Sequence, residues 1–478
     1  MTDSLRREPV PGELSVHRDA LQAQLDPIVF SINSLPFEIL AEIFLCARHE
    51  CRHKTPSGKR PPLLLLRVCR YWRDVAVSTP SLWTRLSVIL RRKETPGQSA
   101  LLDAFLARWT NRAGTAPLSL RLYDTSLLAP RDRIDALLQL YAPRTTFLRV
   151  QTSASNLMGL PSLDSLTHLE RLTLTTRLTT AAWHDVHAFC QAPALRGVVL
   201  EMGAIPSFIR IPWHQLTTFT GSGFSVAEAL YVLRECSQLT KCTLPHLDLR
   251  SWHGVRLRDL TIPFTHTALR ELSISNTAAA VLPCLVLLEL RDLTLRQPVE
   301  LPAPAVTIPA FLAGSLAHSL RRLAYIHSSD AASTVAFAAK WLAPLTNLEE
   351  LSLKHIPIPF LRSFIRALNH TSTADNADVG GPTFLPWLRT LELELEPATR
   401  SSGRYEIDGE LVDALYSRSY DIYDSDYGFE DFMVAPLESF RLVSSTVRLH
   451  EDLIAEFYGL VDEGMKIHIG SADANILE

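Results

Sequence analysis

Four residues whose side chains could bind a metal ion lie close together near the start of the chain. They are Cys46, His49, Cys51 and His53, and zinc prefers sulfur and imidazole ligands of this kind. All four fall within eight residues, and Cys46 continues the apolar face of a predicted helix. A tetrahedral site would require that helix to unwind. We therefore expect no zinc site here and predict that the protein has no cofactor.

Signature motifs of several enzyme classes are missing from the sequence. It contains no phosphate-binding G-x-x-x-x-G-K-[ST], no nucleophile elbow G-x-S-x-G and no dinucleotide-binding G-x-G-x-x-G. The pair His184 and His187 has a spacing common on helix surfaces without any metal. We predict a non-catalytic protein, and a hydrolase with an unrecognised site is the less favoured reading.

Composition restricts the class of protein further. Of 478 residues, 47% are hydrophobic and 21% are charged, which is typical of a globular chain and not of a disordered one. The formal net charge of -4 argues against a nucleic-acid-binding protein. No apolar stretch reaches membrane-spanning length, so we expect no membrane span. We also expect no signal peptide, because acidic and polar residues interrupt the first thirty positions. Seven scattered cysteines favour reduced thiols, so we expect a cytoplasmic or nuclear protein.

Residues 34–86 contain the most informative pattern. Ile39, Leu40, Ile43 and Phe44 fall on one broad apolar face of a predicted helix. A second helix follows Pro61-Pro62, and a third short element begins after Thr79. A unit this small buries little surface, so an apolar face that it leaves open invites a partner. Packing of this face against the following domain is the alternative.

Four blocks in this region resemble the F-box family. They are Leu35–Leu40, Ile43-Phe44, Val68–Arg73 and Pro80–Trp83. The resemblance implies three short helices that dock on the Skp-type adaptor of a Skp–cullin–F-box ubiquitin ligase. It assigns adaptor binding to Leu35, Pro36, Ile39, Leu40, Ile43, Phe44, Val68, Cys69 and Trp72. The basic insert at residues 48–60 departs from the family pattern and puts the strength of docking in doubt.

A second pattern, L-x-x-L-x-L, recurs through the rest of the chain. Its first leucines are 12 residues apart between Leu257 and Leu269, and 49 apart between Leu388 and Leu437. Many intervals are near those of leucine-rich repeats, which the pattern resembles. The copies are Leu169-Leu172-Leu174, Leu195-Val198-Leu200, Leu257-Leu260-Ile262, Leu269-Leu272-Ile274, Leu290-Leu293-Leu295, Leu320-Leu323-Tyr325, Leu348-Leu351-Leu353, Leu388-Leu391-Leu393 and Leu437-Phe440-Leu442.

Each copy predicts a short strand whose alternate leucines enter the core. Around Leu391 and Leu393 the leucines alternate strictly with glutamates, which favours strands over an all-helical repeat array. The fold class is therefore α/β, with an F-box-like helical module followed by an irregular leucine-rich-repeat solenoid. The outward row of strand residues is the candidate target-binding face: Arg171, Asp259, Glu271, Asp292, Arg296, Arg322, Glu350, Lys354, Glu392 and Glu394.

The predicted domains are a tail with a short amphipathic helix at 1–30, an F-box-like domain at 31–86, a connecting segment at 87–168 and a repeat domain at 169–478. The repeat domain contains inserts at 369–384 and 400–432. The resemblance implies a substrate-recognition subunit that connects a protein target to the adaptor and its cullin ligase. Glutamates near residues 392–396 favour a basic target segment. An interaction scaffold outside any ligase is the alternative. We expect neither nucleic acid nor membrane as a partner.

Overall fold

The chain divides into two compact units, Met1–Thr152 (unit 1) and Ser153–Glu478 (unit 2). The computed structural model describes residues 32–49, 59–92, 95–124, 126–127, 129–176, 183–248, 263–296, 311–314, 316, 318–326, 342–369, 384–396, 405–407, 409–419, 434–444, 447–471 and 474–477. Residues 1–30, most of the basic insert, Asp259, and large parts of both predicted inserts lie outside this description.

Unit 1 combines helices with a small parallel sheet. Its strands β1 (Arg85–Leu90), β2 (Leu118–Asp124) and β3 (Thr145–Gln151) pair in chain order. Four short 3-10 helices accompany them: Ile32–Ser34, Leu65–Arg67, Pro80–Trp83 and Ala142–Arg144. The helices are α1 (Phe37–His49), α2 (Arg70–Val77), α3 (Pro96–Ala113) and α4 (Arg131–Tyr141).

Local sequence explains where α2 and α3 begin. The side chain of Thr95 accepts a hydrogen bond from Gln98 N, and the Gln98 side chain accepts one from Thr95 N, which forms a capping box before Pro96. Cys69 occupies the corresponding position before α2, where its sulfur accepts from Trp72 N at 3.4 Å. Each helix therefore starts at a residue whose side chain satisfies a free backbone N–H.

Two tryptophans form the centre of unit 1. Trp83 is fully buried, and its ring packs edge-on against Trp109 with 4.9 Å between centroids. Indole Nε1 of Trp83 donates to Ala76 O at 2.7 Å, and Nε1 of Trp109 donates to Trp83 O at 2.7 Å. Arg112 places its guanidinium 4.5 Å from the Trp83 ring. These contacts join α2, the Pro80–Trp83 helix and α3.

Unit 2 contains a large parallel sheet with helical or irregular returns. Its helices are α5 (Ala154–Met158), α6 (Val226–Glu235), α7 (Ile358–Leu368), α8 (Gly409–Tyr416) and α9 (Glu451–Asp462), and its 3-10 helices are Pro206–Phe208, Trp213–Gln215 and Asn276–Cys284. The strands are β4 (Arg171–Thr175), β5 (Gly197–Glu201), β6 (Thr218–Ser222), β7 (Lys241–His246), β8 (Phe264–Thr265), β9 (Glu271–Ser275), β10 (Leu285–Val286), β11 (Asp292–Arg296), β12 (Arg322–Ile326), β13 (Glu350–Ile356), β14 (Thr390–Leu395), β15 (Tyr405–Glu406), β16 (Ser439–Val443), β17 (Val447–Arg448) and β18 (Lys466–Gly470).

The strands of unit 2 pair in chain order. The large sheet runs β4-β5-β6-β7-β9-β11-β12-β13-β14-β16-β18, while β8 pairs with β10 and β15 with β17. Every strand pairing in the described part of these sheets is parallel. The leucines of the repeated pattern meet in register, for example Leu323 opposite Leu351 and Leu351 opposite Leu391, and all three are buried. A continuous apolar layer therefore stabilises the sheet from one side.

The prediction of a mixed α/β fold is confirmed, and the all-helical alternative is wrong because the described copies of the leucine pattern form strands. The copy Leu257-Leu260-Ile262 lies outside the described residues. One segment differs from expectation. The predicted insert 400–432 contains α8, in which Leu411, Val412 and Leu415 are buried. Their spacing of one and four residues is that of a helix face, which the surrounding polar residues obscure in the sequence. Among the described residues, no helix has both the length and the apolar character needed to cross a bilayer.

The edge strand β18 is covered by a short segment that follows it. In the described part of the chain, β18 pairs with β16 on one side. On the other side, Asn475 Oδ1 accepts from Ile469 N at 3.0 Å, Asn475 Nδ2 donates to Ile467 O at 3.2 Å, and Ile476 N donates to Ile469 O at 2.7 Å. Backbone groups that a free edge would expose are thus already hydrogen-bonded.

Candidate functional site

Helix α1 exposes part of the apolar face that the sequence assigns to adaptor binding. Ile39 is 51% exposed and Ile43 is 40% exposed, and the two lie one helical turn apart. Leu40 and Phe44 differ from expectation, because both are buried in unit 1. The apolar positions of α1 therefore divide into a packed side and an open side.

The other predicted docking residues lie just before α1, just before α2 and within α2. Pro36 and Val68 are exposed, while Leu35, Cys69 and Trp72 are half-buried. Trp72 packs on Phe44 with 4.9 Å between ring centroids, and the Tyr71 hydroxyl donates to Leu35 O at 2.9 Å. Trp72 thus packs against the buried side of α1. Val68 is accessible to a partner. Three further exposed apolar side chains are absent from the predicted docking set: Phe37, which lies within the first block, and Leu64 and Val77, which lie just outside the blocks.

Arg48 fixes the far end of α1 to the third helical element. Its Nη1 donates to Ser81 O at 2.6 Å, to Leu82 O at 3.2 Å and to Thr84 Oγ1 at 3.2 Å. Burial, with a smaller contribution from Arg85, lowers the pKa of Arg48 to about 10. The guanidinium stays protonated at neutral pH, so this three-way attachment holds α1 in place relative to Pro80–Trp83.

A second candidate site is a groove on the sheet of unit 2. It has a volume of about 400 Å³ and crosses β9, β11, β12, β13 and β14. Its floor includes the small side chains Thr294, Ala324 and Ser352, which lie opposite one another on adjacent strands. Its charged lining consists of Glu271, Asp292, Arg322, Glu350 and Glu392. The groove thus gathers five of the ten residues predicted for the target-binding face.

Ion pairs between neighbouring strands neutralise much of the charge around the groove. Lys241 pairs with Glu271, and both Nε and Nη2 of Arg322 reach the Asp292 carboxylate, the latter at 2.7 Å. Hydrogen bonding and attraction to Asp292 raise the pKa of Arg322. These pairs are exposed, so each contributes only about 0–1 kcal/mol to stability. They do determine which charges remain available to a partner.

The β14 end of the groove carries two glutamates that share one lysine. Lys354 Nζ lies 3.4 Å from Glu392 Oε1 and 3.8 Å from Glu394 Oε2. Burial opposes ionisation of Glu392, but the hydrogen bond from Ser352 and the charge of Lys354 outweigh it, so the pKa of Glu392 lies below its ordinary value. A register shift between Leu353 and Ile356, with His355 at a φ of 57°, directs Lys354 at both carboxylates.

Of the other predicted face residues that the structure describes, two lie apart from the groove and two border it. Arg171 and Arg296 are exposed at opposite ends of their strands, and Lys354 and Glu394 border the groove at β13 and β14. Asp259 lies outside the described residues. The structure therefore brings the central part of the predicted face together and leaves Arg171 apart from it.

Three thiols of unit 2, those of Cys236, Cys242 and Cys284, are poor nucleophiles. Burial, with a smaller contribution from Glu235, raises the pKa of Cys236 to about 12, and burial also raises the pKa values of Cys242 and Cys284. All three are protonated at neutral pH and behave as packing groups.

A buried histidine makes unit 2 sensitive to acid. His266 Nε2 lies 2.9 Å from Cys236 O and therefore carries the proton, while Nδ1 is buried without a hydrogen-bond partner. Burial lowers the pKa of His266 below its ordinary value of 6.5, although the Cys236 bond opposes the shift. As the pH falls, His266 gains its second ring proton in the unfolded chain before it does so in the folded chain. The contribution of His266 to the free energy of unfolding is therefore fully present above about pH 6.5 and is lost as the pH decreases towards the folded pKa.

We expect the free energy of unfolding to decrease between pH 7.5 and pH 5.5 by up to about 1.4 kcal/mol per pH unit from this one group. Urea unfolding of the parent and of His266→Gln at both pH values measures this. The variant should show a smaller decrease than the parent. Equal decreases in both proteins would contradict the assignment.

No group of three metal-binding side chains occurs among the residues that the structure describes. The sequence does contain one motif of an enzyme class. Residues 49–53 read H-E-C-R-H, which matches the zinc-protease spacing H-E-x-x-H. That chemistry needs both histidines one turn apart on a helix, whereas α1 ends at His49 and His53 lies outside the described residues. We base no function on this motif.

Comparison with known proteins assigns no family. No protein-family model matches the chain, and no curated protein matches it. The F-box-like blocks and the leucine pattern are therefore resemblances in this sequence alone. What the protein does is a proposal that rests on the two surfaces described above.

Proposed function

We propose that this protein is the substrate-recognition subunit of a Skp–cullin–F-box ubiquitin ligase. In this proposal, α1, α2 and the Pro80–Trp83 element act as an F-box that docks on a Skp-type adaptor. The repeated strands of unit 2 act as a leucine-rich-repeat solenoid that binds a protein target. The chain positions the target for ubiquitin transfer and supplies no nucleophile.

One observation carries the proposal. Ile39 and Ile43 expose branched apolar side chains on the open side of α1, while Leu40 and Phe44 anchor its other side in the core. Exposed apolar side chains at one-turn spacing on a firmly packed helix suit docking into a partner's groove. The order of the four sequence blocks around this helix supports an adaptor of the Skp type as that partner.

Co-purification of the full chain with a Skp-type adaptor tests the proposal. Ile43→Asp places a charge in the docking surface, and loss of a central anchor costs about 2 kcal/mol or more, roughly thirtyfold in affinity. Because Ile43 is 40% exposed, the fold should survive the substitution, and circular dichroism checks this.

Leu140→Asp is the matched control, since Leu140 is 67% exposed on α4 of the same unit. It introduces the same charge outside the docking surface, and adaptor binding should persist. A well-folded parent that does not bind the adaptor would refute the ligase proposal. The interaction scaffold outside a ligase would then be the better account of the two surfaces.

A further inference from the structure

Three arginines lie side by side at the start of β9, β11 and β12. Arg291 N donates to Arg270 O at 2.9 Å, and Arg321 N donates to Arg291 O at 2.9 Å, so the three residues are in register. Adjacent strands are about 4.8 Å apart, which places all three within about 10 Å. Each of them is exposed. We name Arg270, Arg291 and Arg321 the arginine row.

The acidic residues that directly follow Arg270 and Arg291 form ion pairs with cations outside the arginine row. Glu271 follows Arg270 but pairs with Lys241, and Asp292 follows Arg291 but pairs with Arg322. Arg321 pairs with Glu349 at the end of the row. Within the described ranges, the side chains of Arg270 and Arg291 have neither an ion pair nor a hydrogen bond. Two adjacent positive charges therefore remain uncompensated.

This arrangement does not stabilise the fold. Like charges directly opposite one another on adjacent strands are unfavourable, and exposed side chains gain little from packing. The same arrangement suits an anionic ligand, because guanidinium groups bind carboxylates with two parallel hydrogen bonds. In an extended peptide, alternate side chains are about 6.8 Å apart on one side, which the long arginine side chains can match.

We propose that the arginine row is a docking site for an extended acidic segment of a partner protein, with carboxylates two residues apart contacting Arg270 and Arg291. The idea that the acidic segment belongs to the ligase target rests on the proposed function. The idea that the arginine row binds an acidic segment does not depend on it. The site differs from the basic-target expectation drawn from Glu392 and Glu394, because Lys354 already lies beside both of those carboxylates.

Fluorescence anisotropy on the full chain tests this with labelled twelve-residue peptides of repeating Glu-Ser, Lys-Ser and phosphoserine-Gly. The Glu-Ser peptide should bind, and its Kd should rise with salt concentration, as expected for exposed charges. The double variant Arg270→Glu/Arg291→Glu should raise that Kd at least about tenfold.

Arg362→Glu and Arg291→Glu form a matched pair of single variants. Arg362 is exposed on α7 and has no ion pair among the described residues. Arg362→Glu should leave the Kd within about twofold, and Arg291→Glu should not. Unchanged binding by the double variant, preference for Lys-Ser, or binding of the phosphoserine peptide alone would each overturn the proposal. Adaptor co-purification of the same variants separates this outcome from a failure of the ligase proposal, since the adaptor contacts unit 1.

Discussion

Trp83→Ala should destabilise unit 1 by about 3–5 kcal/mol, because it removes a fully buried indole and leaves a cavity. It also removes the hydrogen bond to Ala76 O and the ring contact with Trp109, so α2 and α3 lose their common contact. Hydrogen exchange read by mass spectrometry measures this unit by unit. Peptides from α2, α3 and β1 should exchange much faster in the variant.

Trp387→Ala is the control for Trp83→Ala. Trp387 is 38% exposed in unit 2, so its loss should leave exchange in unit 1 unchanged. Exchange in α2 and α3 that remains at the parent's rate in Trp83→Ala would contradict the central role of this tryptophan. Adaptor binding should be lost together with the fold of unit 1, which separates this variant from Ile43→Asp.

Phe44→Ala and Ile43→Ala should differ in their effect on stability although the residues are neighbours. Phe44 is 1% exposed and packs on Trp72, so Phe44→Ala should cost about 3–5 kcal/mol of stability. Ile43 is half-exposed, so its truncation should cost less than about 1 kcal/mol but should weaken adaptor binding. Thermal unfolding together with adaptor titration measures both quantities.

The result that would refute this division is a stable Phe44→Ala variant that has lost adaptor binding. In that case Phe44 would act in the interface, as the family resemblance implies. We expect Phe44→Ala to show lower stability together with weak binding. We expect Ile43→Ala to show normal stability together with weak binding. This pair of results would support the division of α1 into a packed and an open side.

The sequence predicts the strands of unit 2 well because their pattern is local. Leu351 and Leu353 alternate with polar residues, and that alternation alone indicates a strand with one buried face. It does not indicate which strands are neighbours. Lys241 and Glu271 are thirty residues apart, and with returns of variable length no spacing rule predicts that they pair. The ion pairs, and hence the uncompensated arginines, become visible only when the strand register is known.

Helix α1 shows the same limit. The spacing of Ile39, Leu40, Ile43 and Phe44 predicts an apolar face, but a face this broad can serve a core and a surface together. The structure is needed to show that Phe44 is covered and that its ring lies against Trp72. The strand β18 was missed altogether, although Ile467 and Ile469 alternate with Lys466 and His468. The pattern L-x-x-L-x-L is incomplete there, because Gly464 stands where the first leucine would be.

The covered edge of β18 has a consequence for how this protein behaves at high concentration. The last strand of an open parallel sheet has unpaired backbone groups along its outer edge. A strand of an identical chain could pair with that edge and extend the sheet. Asn475 and Ile476 occupy that growth position from within the same molecule. This segment caps the edge strand, so β18 does not offer free backbone groups that could pair with another chain and start a fibre.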